Sequence, residues 1–244
     1  MTLNILFPVL NEHLRLERGI DTCMAYMRDH IHIPFQLTIL DNGSDDDTPD
    51  IGRALEAKYD EVKYVRIEER GVGIAFKTGV ELNEADIVGY MDIDLSTDLR
   101  YLSRMLHMFK RYSALEYVNG SRFSPKSDTR GRLWYRQITS AGLVFILKTL
   151  FGMKCSDALC GFTFLRKHLA DKLVARCSDD HGWFYTVELL LRAEYMGAKI
   201  YDMPVEWIED YDTTVNVPKT IKNYIIQMYR LKRLFLMEGI GPRR

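Results

Sequence analysis

Ile87-Val88-Gly89-Tyr90-Met91-Asp92-Ile93-Asp94-Leu95-Ser96 joins a short, mostly apolar run to an acidic turn. An apolar run of that length, closed by turn residues, reads as a buried strand. Comparable runs occupy 4–7, 35–40, 62–66, 117–119 and 199–203. Helix-length amphipathic segments separate the early ones, at 16–28, 48–58, 74–84 and 99–111, and two more are expected at 135–152 and 184–195. Strand–helix alternation with Ile, Leu and Val in the strands predicts an α/β fold, with a mostly parallel sheet covered by helices on both faces. Ligands of such sheets bind at the carboxyl ends of the strands. Polar clusters fall on that edge after three strands, at 8–12, 41–48 and 92–98.

The chain has 244 residues, 47% of them hydrophobic and 27% charged, with a net charge of −1. It can bury a full core as one domain, and no global basic field points to nucleic acid. There is no internal repeat, low-complexity segment or linker. The expected division is one domain over 1–217, then a basic amphipathic helix and tail over 218–244. Cys23, Cys155, Cys160 and Cys177 are too few and scattered for a disulfide framework. Cys155 and Cys160 with His168 and His181 match no standard zinc spacing, so free thiols in a reducing compartment are expected. The N-terminus runs directly into a strand with no basic leader. The densest apolar stretch, 143–153, contains Lys148 and is about half the ~20 residues that a spanning helix needs. The expected location is cytoplasmic, or peripheral at a cytoplasmic membrane face.

Residues two apart in an extended segment point to the same side, so Asp92 and Asp94 can aim at one point. Two hard oxygen donors suit Mg²⁺ or Mn²⁺, and Ser96 could add a direct or water-mediated ligand. A solvated acidic turn is the alternative. Asp41 could accept hydrogen bonds from a base or ribose, with Gly43 permitting the turn. A capping cluster before the helix that follows Asp47 explains the same residues. Arg70-Gly71-Val72-Gly73-Ile74-Ala75, then Lys77, opens a helix with glycines and positive charge. That reads either as an anion site or as a plain loop-to-helix junction.

Taken in order, these segments resemble the family 2 glycosyltransferases of GT-A (Rossmann-like) fold, most of all the dolichyl-phosphate mannose synthase and polyprenyl-phosphate glycosyltransferase branch. The motifs are Pro8-Val9-Leu10-Asn11-Glu12, the Asp41-to-Thr48 cluster, Arg70-to-Ala75 and Asp92-to-Ser96. Asn119-Gly120-Ser121-Arg122, Asp157-to-Phe162 and Met203-Pro204-Val205-Glu206-Trp207 continue the series. The resemblance implies a nucleotide-sugar pocket lined by Pro8, Val9, Asn11, Glu12, Asp41, Gly73, Lys77 and Asp92. It implies Asp92, Asp94 and Ser96 at the metal and diphosphate, with Mg²⁺ or Mn²⁺ as cofactor. Arg122, Arg136 and Ser140 would clasp an acceptor phosphate, since residues four apart share a helix face. Asp94, Arg122 and Asp157 are the expected catalytic residues.

Two departures bear on substrates. Asn42 stands where the family carries a second acidic residue. The branch often has an arginine shortly after the Pro-Val-x-Trp segment, where this chain reads Ile208-Glu209-Asp210-Tyr211-Asp212, an acidic run that would repel an acceptor phosphate unless it faces elsewhere or Lys219 takes over. The expected reaction is inverting transfer of a hexose, from GDP-mannose or UDP-glucose, to a polyprenyl phosphate. A saccharide hydroxyl acceptor would instead need a base, with Asp157, Glu209 or Asp210 as candidates. A non-catalytic nucleotide-sugar scaffold is the reading of another class. From Pro218 an amphipathic helix rich in Lys and Arg suits an anionic membrane surface or a membrane-protein partner.

Overall fold

The computed structural model describes residues 1–129, 131–178, 182, 184–208 and 217–241, with side chains from 222 onward in the last segment. Elements alternate through the first half: β1 Leu3–Val9, α1 Leu16–His30, β2 Phe35–Asp41, α2 Thr48–Lys58, β3 Val62–Arg66, α3 Val72–Glu81, β4 Ile87–Met91, α4 Arg100–Arg111 and β5 Tyr117–Ser121. The second half adds α5 Trp134–Phe151, β6 Phe162–Arg166, α6 Lys167–Val174, α7 Phe184–Met196, β7 Ile200–Pro204 and α8 Val217–Glu238. The seven strands form one sheet in the order β3-β2-β1-β4-β6-β5-β7. Four pairings are parallel, and only β6 runs antiparallel, to β4 and β5. The mostly parallel α/β sheet expected from the sequence is the one observed.

Two apolar layers cover the sheet. Leu3, Ile5 and Phe7 of β1 face α1, α2 and α4, whereas Leu6 faces α3, α6 and α7. This is the alternation that a strand imposes on its side chains. β4 and β6 approach so closely at Gly89 that a Cβ there would lie 2.1 Å from the Thr163 carbonyl oxygen and 2.3 Å from the Phe164 ring. No larger residue fits the centre of the sheet at that point. Cys23, Cys155 and Cys160 are buried free thiols, and burial pushes Cys23 up to about 12.

β6 and α6 were not anticipated. β6 is buried on both faces, with Phe162, Phe164 and Leu165 fully enclosed, so it lacks the polar alternation that marks a half-exposed strand. Its partners are also distant in sequence. α3 starts at Val72 rather than Ile74, because Gly71, at φ 149°, supplies the bend before the first turn. Among the described residues no helix is long and apolar enough to cross a membrane.

The parallel register brings the site together. Val9 lies opposite Asp41, and β1 pairs with β4 on its other side. The loops after β1, β2 and β4 therefore open on one edge.

Candidate active site

The acidic pair stands just past β4. The strand stops at Met91, the Leu95 N–H donates to the Asp92 carbonyl (3.1 Å), and the Ser96 N–H donates to Asp94 Oδ1 (2.9 Å). A tight turn, rather than strand alternation, thus brings the carboxylates near one another. Leu95 has φ 53° and Asn11, on the neighbouring loop, φ 57°. They are the only non-glycine residues in the left-handed region among those described, a conformation costing about 1–3 kcal/mol that persists where surrounding structure enforces it.

The Asp92 carboxylate fills the space left by the missing side chain of Gly161, where a Cβ would fall 1.9 Å from Oδ2. Its carboxyl is pushed up to about 7, first by burial and then by Asp94, with Glu12 adding to the rise and Arg122 and Arg15 opposing it. Excess negative charge held out of water is what a divalent cation relieves. Among the described residues no three His, Cys, Asp or Glu side chains converge as a ready-made cluster. A pair of carboxylates fits Mg²⁺ or Mn²⁺, which take their remaining oxygens from substrate phosphates and water. Gly161→Ala is expected to leave the fold intact, because the atom it strikes is the end of a side chain, and to swing Asp92 aside. We expect turnover to fall at least tenfold with little change in Tm, measured by initial rates alongside thermal unfolding.

The loops after β1 and β2 are stitched together. The Asn11 N–H donates to Ser44 Oγ (2.9 Å), Asn11 Nδ2 to Asp45 Oδ1 (2.7 Å), and the Asp45 N–H back to Asn11 Oδ1 (2.9 Å). The Glu12 N–H donates to Thr48 Oγ1 (2.8 Å), and its carboxylate takes Arg15 Nε at 2.7 Å. Two sequence expectations are corrected. Val9 is 1% exposed and packs in the core, so its side chain does not line the pocket. Asp41 is fully buried, accepting from the Ser44 N–H (2.9 Å), the Tyr64 hydroxyl (2.6 Å) and Arg66 Nη1 (3.0 Å). It ties β2 to β3 and shapes the turn, a structural role different from the helix cap raised above, since Asp47 itself makes no side-chain cap bond. Asn42, beside it, is also buried, and its Oδ1 has no hydrogen-bond partner among the described residues, an unmade acceptor of a kind that costs about 1–3 kcal/mol. Pro8 is half-buried at this edge. Gly73 lies buried in the first turn of α3, and Lys77 is half-buried one turn further on.

Opposite them, Arg122 follows β5. Its Nε and Nη2 form a fork on Asp157 at 2.7 and 3.0 Å, and the Arg122 N–H adds a third bond at 3.1 Å. The guanidinium lies 5.0 Å from the Trp207 ring and 5.9 Å from Phe123. Burial alone would raise the Asp157 carboxyl, but Arg122 beside it holds it below its ordinary value. Both Asp157 oxygens are engaged, because Oδ1 also accepts the Leu159 N–H (3.1 Å). This group is a poor base and a firm anchor for Arg122. The alternative bases Glu209 and Asp210, together with Asp212, lie outside the described residues, as does His181.

A support beneath the fork was not read from the sequence. Asp202 of β7 accepts the Ser156 N–H (2.6 Å), the Ser156 hydroxyl and Asn119 Nδ2 (2.9 Å), and Asn119 Nδ2 also reaches the Asp157 carbonyl (2.8 Å). Ser156 in turn meets the Ser121 hydroxyl at 2.5 Å. The one sequence signal was an acidic residue inside a short strand. On α5, Ser140 lies one turn beyond Arg136. Its hydroxyl accepts Arg132 Nη2 (2.8 Å), and Arg132 lies 5.4 Å from the same Phe123 ring that Arg122 approaches. Phe123 thereby links Arg122 to the start of α5, where Arg136 occupies the first turn, its N–H bonded to the Leu133 carbonyl (3.0 Å).

Residues 4–174 match the family description Glycosyl transferase family 2. The chain is 26% identical over 229 residues to glycosyltransferase AglD of Haloferax volcanii, covering 93% of this chain but 36% of that protein. It is 24% identical over 220 residues to the dolichyl-phosphate beta-glucosyltransferase of Homo sapiens, covering 85% of this chain and 67% of the relative. In structure it is similar to glucosyl-3-phosphoglycerate synthase from Mycobacterium tuberculosis in complex with Mn²⁺ and UDP-glucose. The TM-score is 0.71 at 17% identity, covering 95% of this chain and 78% of the other.

Proposed function

Because this chain belongs to glycosyl transferase family 2, we propose that it transfers a hexose, with inversion, from a nucleoside-diphosphate sugar to a polyprenyl or dolichyl phosphate. The observation that carries the acceptor class is the basic cluster that begins at Arg122, whose charge reaches Asp92 of the acidic turn. Arg122, locked by Asp157, is linked through Phe123 to Arg132, Ser140 and the first turn of α5. The human relative is a dolichyl-phosphate beta-glucosyltransferase by name, which agrees with that chemistry and favours glucose as the sugar.

In this reading Asn11 and Glu12 receive the nucleoside, with Pro8 beside them, and the start of α3 with Lys77 faces the diphosphate. Asp92 and Asp94, with Ser96 fixing Asp94, would hold Mg²⁺ or Mn²⁺. The bound ion supplies positive charge against the departing diphosphate. Arg122, Arg136 and Arg132 hold the acceptor phosphate in line with the anomeric carbon. A phosphate oxygen forms the new bond to that carbon on the face opposite the breaking carbon–oxygen bond, whose electrons leave with the nucleoside diphosphate. With a second pKa near ~6 the acceptor is already an anion at neutral pH, so no protein base is needed. This suits Asp157, whose depressed carboxyl would serve a saccharide hydroxyl poorly.

The test offers purified protein radiolabelled UDP-glucose or GDP-mannose with Mg²⁺ or Mn²⁺, and either polyprenyl phosphate or oligosaccharides. Label extractable into organic solvent and released by mild acid is the expected product, and chelation of the metal should remove it. Label found only in water-soluble oligosaccharide would overturn the acceptor assignment. Donor binding without turnover on any acceptor would favour a scaffold.

A further inference from the structure

β7 carries an aspartate in the middle of a five-residue strand, although Asp is depleted in strands. Attachment of the strand does not require that side chain. β7 is already held to β5 by a parallel register that runs from Tyr117 opposite Ile200 to Ser121 opposite Pro204. Residues two apart on a strand share a face, and Asn119 lies opposite Asp202, so Asn119, Ser121 and Asp202 present their side chains to one side. Asn119 and Ser121 are buried there, 2% and 0% exposed. Ser156 and Asp157, far away in sequence, meet this row.

The hydrogen bonds of the row can run in only one direction. An ionised carboxylate accepts and cannot donate, so the Ser156 hydroxyl proton goes to Asp202 Oδ2, alongside the Ser156 N–H (2.6 Å). Ser156 Oγ is then left as an acceptor, and the Ser121 hydroxyl donates to it (2.5 Å). Ser121 Oγ in turn takes the N–H groups of Phe123 (3.1 Å) and Ser124 (3.0 Å), the two residues that follow Arg122. A second arm leaves Asp202 Oδ1 through Asn119, whose Nδ2 donates to that oxygen (2.9 Å) and to the Asp157 carbonyl (2.8 Å). One arm ends on the turn that carries Arg122. The other ends on the residue that grips it.

We propose that Asp202 is a positioning residue for sugar transfer: through Ser156, Ser121 and Asn119 it holds the Arg122 turn and the Asp157 backbone in place, so that the guanidinium meets the acceptor phosphate in a single orientation. The inference rests on the reading of Arg122 as an acceptor-phosphate ligand. Guanidinium–phosphate contacts are directional, and a displacement of about 1 Å in a group that orients a substrate can cost on the order of 100-fold in rate. Asp202→Asn keeps the volume of the side chain but cannot keep the order of donors. With its oxygen toward Ser156, its amide faces the Asn119 amide, donor against donor. Reversed, the amide faces the Ser156 N–H. Turning the Asn119 amide as well sets its oxygen against the Asp157 carbonyl. Buried polar groups left unmatched in this way are unfavourable, and the segments that carry the fork must shift to relieve them.

The test measures initial rates of the full chain, wild type, Asp202→Asn and Ser156→Ala, with UDP-glucose or GDP-mannose, Mn²⁺ and a short, water-soluble polyprenyl phosphate. The donor and the acceptor are varied in turn. The acceptor KM is expected to rise at least tenfold in Asp202→Asn, and in the same direction but less steeply in Ser156→Ala, which removes only the first arm. The donor KM, and the Tm shift that the donor gives with Mn²⁺, should stay within twofold of wild type. The double variant should lose less acceptor kcat/KM than the product of the single effects, because both substitutions break one chain of bonds. A carboxylate that merely stabilised the fold would lower Tm and the active fraction while leaving both KM values where they were. That result, or equal loss on donor and acceptor, would overturn the proposal. Should Asp202→Asn not fold, an unmoved acceptor KM in Ser156→Ala overturns it alone. A wild type that transfers to no lipid phosphate would sink the acceptor reading and this inference with it. An active wild type whose variants keep its acceptor KM would sink only the inference, so the two failures are distinguishable.

Discussion

Arg122→Met is expected to lower turnover by at least two orders of magnitude and to destabilise the fold by about 3–5 kcal/mol, the usual cost of removing one member of a buried ion pair. Asp157 is 1% exposed and the Arg122 side chain 8%. Without the guanidinium the carboxylate is left charged, buried and with its main partner gone. The sign of the pH dependence should then reverse. In the wild type the Asp157 carboxyl is held below its unfolded value, so the pair contributes stability above about pH 4 that is lost as pH falls through the lower folded value. In Arg122→Met, burial acts without Arg122 and raises that carboxyl above its unfolded value. The variant should therefore gain stability as pH falls from neutrality toward 4. Urea unfolding at several pH values reads this directly. Adding Asp157→Asn to Arg122→Met removes the stranded charge and should restore much of the stability, but none of the turnover, because the phosphate-holding guanidinium is still missing. Wild-type rates in the single variant would remove Arg122 from the mechanism.

The second large effect is expected at Asp92, with the opposite sign for stability. Asp92→Asn should raise the Tm of the metal-free protein at pH 8 while abolishing both metal-dependent turnover and the Tm increase produced by Mn²⁺. The carboxyl is pushed up to about 7 by burial and by Asp94, against about 3.9 when unfolded. The native state holds its proton more tightly across that window, so stability falls as pH rises from about 4 to about 7, and the loss is complete above it. An amide carries no such charge and avoids that loss, at the expense of the metal site, the common trade between stability and function. Metal binding needs the ionised pair, so the Mn²⁺-induced Tm gain in the wild type should be larger at pH 8 than at pH 6. A variant less stable than wild type at pH 8, or one still activated by Mn²⁺, would show that Asp92 is neither the strained carboxylate nor the metal ligand.

Both effects arise at positions that the sequence singles out, but for reasons it does not contain. Asp92 and Asp94 are legible as a pair because they follow an apolar strand in a strand–helix alternation. Their convergence comes from the turn at Leu95 and from the room that Gly161 leaves for the Asp92 carboxylate, Gly161 being brought there by the antiparallel strand β6. Arg122 and Asp157 are legible as separate motif residues, and the fork between them is a contact across 35 positions. Asp41 misled because its residue type is equally suited to a ligand and to a turn. Only the positions of Tyr64 and Arg66 decide between these uses.

By itself the sequence determined the α/β class, the parallel run of the first strands and the edge of the sheet on which the site lies. Those follow from local periodicity, because hydrophobic spacing records whether a segment is a helix or a strand and which end carries polar residues. Tertiary structure alone decided the insertion of β6, the Asp202–Ser156 support, the bond from Arg132 to Ser140 and the bare outer face of α5. Each depends on what a residue meets across the fold. An apolar helix in sequence is the same whether its far side is packed against protein or left exposed, and only the packing shows how little of α5 the core covers.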